Sequence, residues 1–212
     1  MIANEVGQNP FPPTSVSNAS PANPATPQNQ ENILILHVDD LTSQTPRLVS
    51  VWMAVVSYSD PSVIFFKSLY PRPVGDQGVI PFDQFFSLDG GRHLSANFVS
   101  NAQAYNIHWN GYFLIDQYAI SSMYAYALGS SIDLFNEPAT TPDQIQIVIS
   151  KETGLLQAAC NSIPTIANNN RVFHWSEFIP RHFRTQYSFE DLVFNWDRLI
   201  SANNSPHCEV AP

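Results

Sequence analysis

Charged residues are scarce in this sequence, and basic residues are scarcer than acidic ones. Only 13% of the 212 residues are charged, with 9 Lys and Arg against 18 Asp and Glu, which gives a net charge of -9. A general nucleic-acid binder needs a basic stripe that displaces counterions, and docking on anionic lipid needs a polybasic patch. The composition therefore excludes both classes, and we expect no nucleic-acid partner.

Long apolar runs are also missing. No stretch approaches the ~18 apolar residues of a membrane-spanning helix, so we predict no membrane span in this chain. Residues 1–5 show neither the basic region nor the apolar region of a signal peptide. Two interpretations stay open: a chain that begins in the cytoplasm, or a part of a longer, exported protein.

Cysteine is limited to Cys160 and Cys208, which have no metal-site spacing and no C-x-x-C motif. We expect a disulfide that ties the C-terminal tail to the domain, because an exposed tail is an unusual place for an unpaired cysteine. The alternative is two unrelated thiols. A disulfide would indicate an oxidising compartment, which favours the exported protein.

Signature motifs of the common enzyme classes are absent. The sequence contains no G-x-S-x-G, Walker loop, H-E-x-x-H or G-x-G-x-x-G motif. The six histidines form no cluster along the sequence, and we interpret His37, inside an apolar run, as a core residue rather than a base.

The first 32 residues differ in composition from the rest of the chain. Proline recurs among Asn, Ser, Thr, Gln and Ala, with no Lys or Arg and little to bury. Such a segment cannot offset its ordering entropy, and proline keeps it extended. We predict a disordered linker over 1–32, either a tether or a tail without a special role, followed by one domain over 33–212.

The hydrophobic pattern of that domain predicts a single-domain α/β fold, a mixed sheet sandwiched by helices. A two-stranded hairpin follows the first strand, because the connection is too short for a parallel crossover. The expected strands are Ile33–Val38, Val49–Tyr58, Val63–Leu69, Tyr112–Ile115 and Ile145–Ile149. The expected helices are Arg92–His108, Tyr118–Leu128, Leu155–Ile163, Trp175–Phe183 and one that begins after Ser188, with Asp191 completing a capping box.

Two aspartates end the first predicted strand. Asp39 and Asp40 stand where open α/β sheets bind ligands, and a carboxylate there can hold Mg²⁺ and bridge it to phosphate. Arg47 and Arg72 follow the first and third strands, and arginine suits phosphate because its planar fork donates two bonds. The alternative is that both aspartates are turn residues and both arginines ordinary surface residues.

These motifs resemble those of the LytR-CpsA-Psr (LCP) family of cell-envelope proteins. His37-Val38-Asp39 stands where the family has Gly-Val-Asp, and Arg47-Leu48-Val49-Ser50 stands where it has Arg-Ser-Asp-Thr. Ser68-Leu69-Tyr70-Pro71-Arg72 occupies the place of Ile-Pro-Arg-Asp. The strand ending in Asp116 and the helix ending in Leu128-Gly129 are similar to the family's next section. The resemblance covers about residues 33–160.

The resemblance implies an LCP-like α/β fold that binds a polyprenyl pyrophosphate lipid and, with Mg²⁺, transfers a glycopolymer phosphate to the cell wall. It implies Asp39 as the Mg²⁺ ligand and, with Arg47 and Arg72, as the catalytic set. Asp40 and Lys151 are further ligand-binding candidates. It also implies an extracytoplasmic location in the bacterial cell envelope, with a polyprenyl-linked lipid or a cell-wall glycan as partner.

The sequence departs from the family pattern at charged positions. Val49 and Pro73 replace two of the family's aspartates, and around residues 149–152 only Lys151 is basic where the family is rich in arginine. A pyrophosphate clamp needs several cations in a small volume. We therefore expect a divergent LCP-like domain with a degenerate pyrophosphate site and a binding or structural role. The alternatives are an active Mg²⁺-dependent phosphotransferase and an unrelated soluble α/β domain.

Overall fold

The computed structural model of the protein describes residues 29–72, 79–129, 132, 134, 137–167, 179–200 and 206–212. Six strands lie in the described part of the chain: β1 (Gln30–Val38), β2 (Leu48–Ser57), β3 (Val63–Tyr70), β4 (Gly111–Asp116), β5 (Phe183–Thr185) and β6 (His207–Ala211). The helices there are α1 (Phe82–Phe85), α2 (Ala96–Ala104), α3 (Gln117–Leu128), α4 (Pro142–Ala167) and α5 (Phe189–Ile200). No helix within these ranges is long and apolar enough to span a membrane.

The strands form one mixed sheet in the order β5-β4-β1-β2-β3-β6. The pairs β1–β2, β2–β3 and β4–β5 are antiparallel, whereas β1–β4 and β3–β6 are parallel. The carboxyl ends of β1, β3 and β4 therefore meet at the same edge of the sheet, and the amino end of β5 joins them there. This topology decides which side chains can form a site.

The first face of the sheet carries the larger apolar core. Alternate residues of β1, Leu34, Leu36 and Val38, are fully buried on this face. They belong to the same buried cluster as Phe82 of α1 and Phe98 of α2, whose rings lie 6.0 Å apart. Helices α1 and α2 thus cover this face by aromatic packing.

The second face packs against α4 and α5 and contains a buried polar network. Nδ1 of His37 lies 2.7 Å from Oε1 of Glu152, and Nε1 of Trp52 donates to Oε2 of Glu152 at 2.5 Å. Because both partners of the carboxylate are ring N–H groups from the sheet, Glu152 fixes α4 on this face. His37 is a buried core residue, as the sequence predicts, with Nδ1 bound to Glu152 and with Nε2 buried without a hydrogen-bond partner among the described residues.

Helix ends follow the expected capping chemistry. The side chain of Ser95 accepts from the backbone N–H of Phe98 before α2, and α3 ends at Gly129 with φ 70°, a left-handed conformation that suits glycine. At the start of α5, Ser188 and Asp191 exchange hydrogen bonds, with Asp191 N to Ser188 Oγ at 3.1 Å. The predicted capping box is confirmed.

Several predicted elements are wrong. Residues 145–149, predicted as a strand, lie in α4, which also runs through Pro164, where a break was expected. The helix predicted to end at Phe183 conflicts with β5, since Phe183 belongs to that strand; residues 175–178 lie outside the described residues. Residues 30–32, predicted as linker, begin β1, whereas residues 1–28 lie outside the described residues. The segment after the last helix, expected to be an irregular tail, contains the strand β6.

The predicted disulfide joins Cys160 to Cys208 with the Cα atoms 6.1 Å apart. Cys208 does not lie in an exposed tail, because it is half-buried in β6 and packs on the second face of the sheet. Cys160 is buried in α4. The bond therefore fastens the edge strand β6 to the helix that covers the sheet.

Removing this disulfide should lower the free energy of unfolding. The double variant Cys160→Ala and Cys208→Ala should lose about 4 kcal/mol, because the bond restricts a long loop of the unfolded chain. Equilibrium urea unfolding measures the change, and reduction of the native protein should give a similar loss. A change below about 1 kcal/mol would show that β6 is held without the bond.

Gly111 begins β4 directly against an aromatic ring. A Cβ added at Gly111 would overlap the ring end of Tyr187, which is wedged beside Phe113 with ring centroids 5.8 Å apart. Burial raises the pKa of Tyr187, and the nearby Glu31 carboxylate raises it further. The Tyr187 ring packs against Phe113, so it cannot move away from Gly111 without losing this contact.

The variant Gly111→Ala should destabilise the domain by about 1–3 kcal/mol, because the added methyl group overpacks a filled site. Gly154→Ala is the matched control, since a Cβ at that exposed position of α4 meets nothing within 4 Å. This control should stabilise the helix by about 0.5–1 kcal/mol. Thermal unfolding of the two variants compares them, and equal melting temperatures would contradict the packing argument.

Candidate functional site

The candidate site is a pocket at the carboxyl ends of β1 and β4. Asp39 and Asp40 directly follow β1, and Asp116 ends β4, the parallel neighbour of β1. The pocket has a volume of about 340 Å³. Its lining residues are Asp39, Asp40, Asp116, Gln117, Tyr118, Ser121 and His182.

Asp116 is the most deeply buried acid of the pocket, with 1% of its surface exposed. Its Oδ1 accepts from the backbone N–H of Ala119 at 3.0 Å and caps α3. Its Oδ2 accepts from the backbone N–H of Leu41 at 3.3 Å and lies 2.7 Å from Nδ1 of His182. A buried carboxylate needs such partners. Asp116 thereby joins the loop after β1, helix α3 and the start of β5.

Asp39 is bound to Arg47 across the loop that connects β1 to β2. Its Oδ2 accepts from Nε of Arg47 at 2.7 Å, and its Oδ1 accepts from the backbone N–H groups of Arg47 and Asp40, both at 2.8 Å. Hydrogen bonding to Asp39 raises the pKa of the Arg47 guanidinium, and Glu137 contributes in the same direction. Asp39 and Arg47 therefore lie together as an ion pair, and their implied roles as Mg²⁺ ligand and pyrophosphate contact stay predictions.

Asp40 forms a turn with Thr42. Its Oδ1 accepts from Oγ1 of Thr42 at 2.6 Å and from the backbone N–H of Thr42 at 2.7 Å. These bonds, above all the one from the hydroxyl, lower the pKa of the exposed Asp40 carboxyl. Asp40 therefore acts as a turn residue, and its charge still points into the pocket.

Two aromatic rings line the other side of this open pocket. The ring of His182 lies 4.4 Å from the ring of Tyr118 between centroids, and Tyr118 is 55% exposed. The bond from His182 to Asp116 orients the imidazole, which precedes β5. The pocket thus combines three carboxylates with an exposed aromatic face.

Two predicted site residues lie away from this pocket. Arg72 follows β3 at the same edge of the sheet, two strands from β1, which corresponds to about 10 Å. Lys151 lies in α4 next to Glu152, the residue that binds the second face of the sheet. Neither side chain lines the pocket that the described residues form.

Asp116 and His182 are the site residues that the sequence analysis did not select. Asp116 carried a usable signal, because it ends a strand and precedes a helix, the position of an N-cap and of a strand-end ligand. The sequence around His182 carried no such signal. Its place beside Asp116 results from the β4–β5 pairing, which joins segments 66 residues apart in sequence.

The donor set does not fit a resident Mg²⁺ ion. Asp39 and Asp116 each accept three hydrogen bonds from the protein itself, and only Oδ2 of Asp40 has no such bond within the described residues. No group of three or more His, Cys, Asp or Glu side chains in those ranges could hold a metal ion. A Mg²⁺ ion at Asp39 would compete with the Arg47 guanidinium for the same carboxylate.

Comparison with known proteins addresses the fold. No protein-family model matches the sequence, and no curated protein is significantly similar to it. Among solved structures, Lin1025 from Listeria innocua has 12% identity and a TM-score of 0.50, and covers 86% of this chain and 83% of its own. TagT bound to LIIa-WTA has 7% identity and a TM-score of 0.50, and covers 91% and 82%.

A third structure, yvhJ from Bacillus subtilis, is described as a transcriptional regulator. It has 13% identity and a TM-score of 0.50, and covers 87% of this chain and 83% of its own. TagT and Lin1025 are LCP-family structures. The chain has an LCP-like fold. At such low sequence identity the comparison shows the fold alone. The chemistry of the pocket depends on the residues that line it in this chain.

Replacing Thr42 with valine should raise the pKa of Asp40 toward the ordinary value, because the variant removes the hydroxyl donor and keeps the backbone N–H. A carboxyl with a lowered pKa stabilises the folded state above about pH 4, and this contribution disappears as the pH falls through the folded-state pKa. Thr42→Val should therefore weaken the loss of stability at acidic pH.

Carbon-detected NMR titration of the Asp40 carboxyl measures this change. Thr45→Val is the matched control, since Thr45 lies in the same loop and its backbone N–H donates to Ser43 rather than to Asp40. The control should leave the titration of Asp40 as in the native protein. An unchanged pKa of Asp40 in Thr42→Val would contradict the assigned turn.

Proposed function

We propose that this protein is an LCP-like domain of the bacterial cell envelope that binds a cell-wall glycan or a polyprenyl-linked glycopolymer and does not transfer it efficiently. The observation that carries the proposal is the closed pair of Asp39 with Arg47 beside two further carboxylates. The pocket is therefore acidic where phosphoryl transfer needs preorganised cations.

The chemistry of the pocket favours the glycan over the pyrophosphate of such a ligand. Carboxylate oxygens accept hydrogen bonds from sugar hydroxyls but repel phosphate oxygens. Asp40 keeps Oδ2 available, and the half-exposed ring of Tyr118 offers a flat apolar surface beside it. In a concave site, polar groups fix the orientation of a ligand, and an aromatic surface beside them contributes affinity.

Two further observations support the envelope location. The Cys160–Cys208 bond is typical of an oxidising compartment, which agrees with an extracytoplasmic protein. The fold is shared with TagT, which has been solved bound to LIIa-WTA. The binding site that we propose for this chain is inferred from its own pocket residues and not from the TagT complex.

An assay of phosphotransfer tests the proposal that the domain does not transfer a glycopolymer efficiently. The domain would be incubated with a polyprenyl pyrophosphate glycan, an acceptor and Mg²⁺, and phosphate-linked product would be followed beside an active LCP enzyme. We expect almost no product, since loss of one transition-state contact costs ~10²–10³ in rate and several are missing. Mg²⁺-dependent turnover that disappears in Asp39→Ala and Arg72→Ala would establish the phosphotransferase instead.

Calorimetric titration with cell-wall oligosaccharides tests the proposal that the domain binds a glycan. Tyr118→Ala should weaken binding roughly two- to tenfold, because an aromatic contact contributes about 0.5–1.5 kcal/mol. Tyr105→Ala is the control, since Tyr105 is 47% exposed but stacks on Phe85 outside the pocket. No binding by the native domain, or equal weakening by both variants, would contradict the proposal.

A further inference from the structure

Helix α5 exposes a group of large apolar side chains. Phe189, Val193 and Phe194 are 42%, 41% and 63% exposed. Of the eight large hydrophobic residues that are exposed in the described part of the chain, three therefore lie on this one helix of 12 residues. Single exposed apolar residues are ordinary, whereas a group on one element is typical of an interaction surface.

The opposite side of α5 holds the helix on the domain. Trp196 is half-buried and packs on the second face of the sheet. The side-chain amide of Asn195 donates to both carboxylate oxygens of Glu31, at 3.3 and 3.2 Å. The guanidinium of Arg198 lies 3.8 Å from the centre of the Tyr58 ring. These contacts fix the rotation of α5, so the exposed side chains face away from the sheet in one arrangement.

Two carboxylates lie between the exposed apolar side chains. Val193 lies three positions after Glu190 and four before Asp197. Phe194 lies four positions after Glu190 and three before Asp197. Side chains at these spacings are neighbours on the surface of a helix, and both acids are exposed. Apolar and acidic groups therefore alternate on one surface, which we define as the outer face of α5: Phe189, Glu190, Val193, Phe194 and Asp197.

The charge of α5 is negative. Asp191 adds a third exposed carboxylate to the helix, and Arg198, which stacks on Tyr58, is its only basic residue. An anionic lipid surface, or the same face of a second copy of the chain, would bring further negative charge against it. A segment that combines basic with apolar side chains complements both features of the outer face.

We propose that the outer face of α5 docks a basic amphipathic helix of a partner protein. Apolar side chains of the partner cover Phe189, Val193 and Phe194, as in other interfaces in which two helices pack through apolar faces. Lysine or arginine side chains of the partner pair with Glu190 and Asp197. These two acids are seven positions apart, which is about 10 Å along the helix axis, so basic residues at the same spacing lie opposite them. The proposal does not depend on the proposed function.

A pair of model peptides tests the docking face. The probe is a labelled peptide of leucine and lysine that forms an amphipathic helix, and its counterpart carries glutamate in place of lysine. We expect fluorescence anisotropy to show saturable binding of the basic peptide to the full chain and no binding of the acidic one. Phe194→Gln should weaken the binding about tenfold or more, because it removes the most exposed apolar contact.

Ile147→Gln is the matched control for this variant. Ile147 is 43% exposed and lies on α4, outside the outer face of α5. Both variants place a good helix former at an exposed helical position, so the fold should be retained. The control should change the affinity for the basic peptide less than about twofold.

Salt dependence tests the two carboxylates. The double variant Glu190→Gln and Asp197→Asn should bind the basic peptide more weakly and lose most of the dependence on ionic strength, because salt screens exposed charge pairs. Asp83→Asn with Glu209→Gln is the control. It removes the same charge from exposed positions on α1 and β6, and it should retain the dependence.

Three results with the peptides would overturn the proposal: no saturable binding of the basic peptide, equal binding of the acidic one, or equal weakening by Phe194→Gln and Ile147→Gln. Sedimentation velocity and partition into phosphatidylcholine vesicles test the other occupants of the outer face. Self-association or vesicle binding that Phe194→Gln abolishes would assign the face to a second copy or to a membrane, and would overturn the proposal as well.

Discussion

The buried carboxylate of Asp116 is the interaction on which the rest of the site depends. It ends β4, caps α3, binds the backbone of the loop after β1 and orients His182 before β5. Three segments that are distant in sequence, the β4–α3 junction, the loop after β1 and the residues before β5, therefore converge on one side chain, and the cost of burying its charge is offset by three donors. The acidic pocket is a consequence of this arrangement, since Asp39 and Asp40 lie in the loop that Asp116 holds.

Much of the fold follows from local pattern, and this explains which predictions succeed. Apolar runs with β-branched residues predict β1 to β4, and the end of α3 at Gly129 follows from its left-handed conformation. The disulfide is confirmed, although the reason for expecting it, a cysteine in an exposed tail, is wrong because Cys208 lies half-buried in β6. The resemblance to the LCP family is confirmed at the level of the fold, although Lin1025 and TagT are only 12% and 7% identical to this chain.

The failures have physical causes as well. The run Ile145–Ile149 has the β-branched composition of a strand, but only Val148 and Ile149 are buried, and the next buried position is Glu152, which is helical spacing. Tertiary contacts override propensity there. Asp39 and Arg47 lie only eight residues apart, at the two ends of one loop, so the sequence brings them near each other. The contact of His182 with Asp116 depends instead on a pairing of distant strands that no local pattern encodes.

The central claim is that the carboxylates of Asp39 and Asp116 are occupied by the protein's own donors and that this end of the sheet therefore does not recruit a divalent cation. Titration of the isotope-labelled domain with Mn²⁺, a paramagnetic stand-in for Mg²⁺ with the same preference for oxygen ligands, tests this most directly. We predict no saturable broadening centred on the amides of Asp40, Leu41 and Ala119. Saturable broadening there that disappears in Asp39→Asn would contradict the claim.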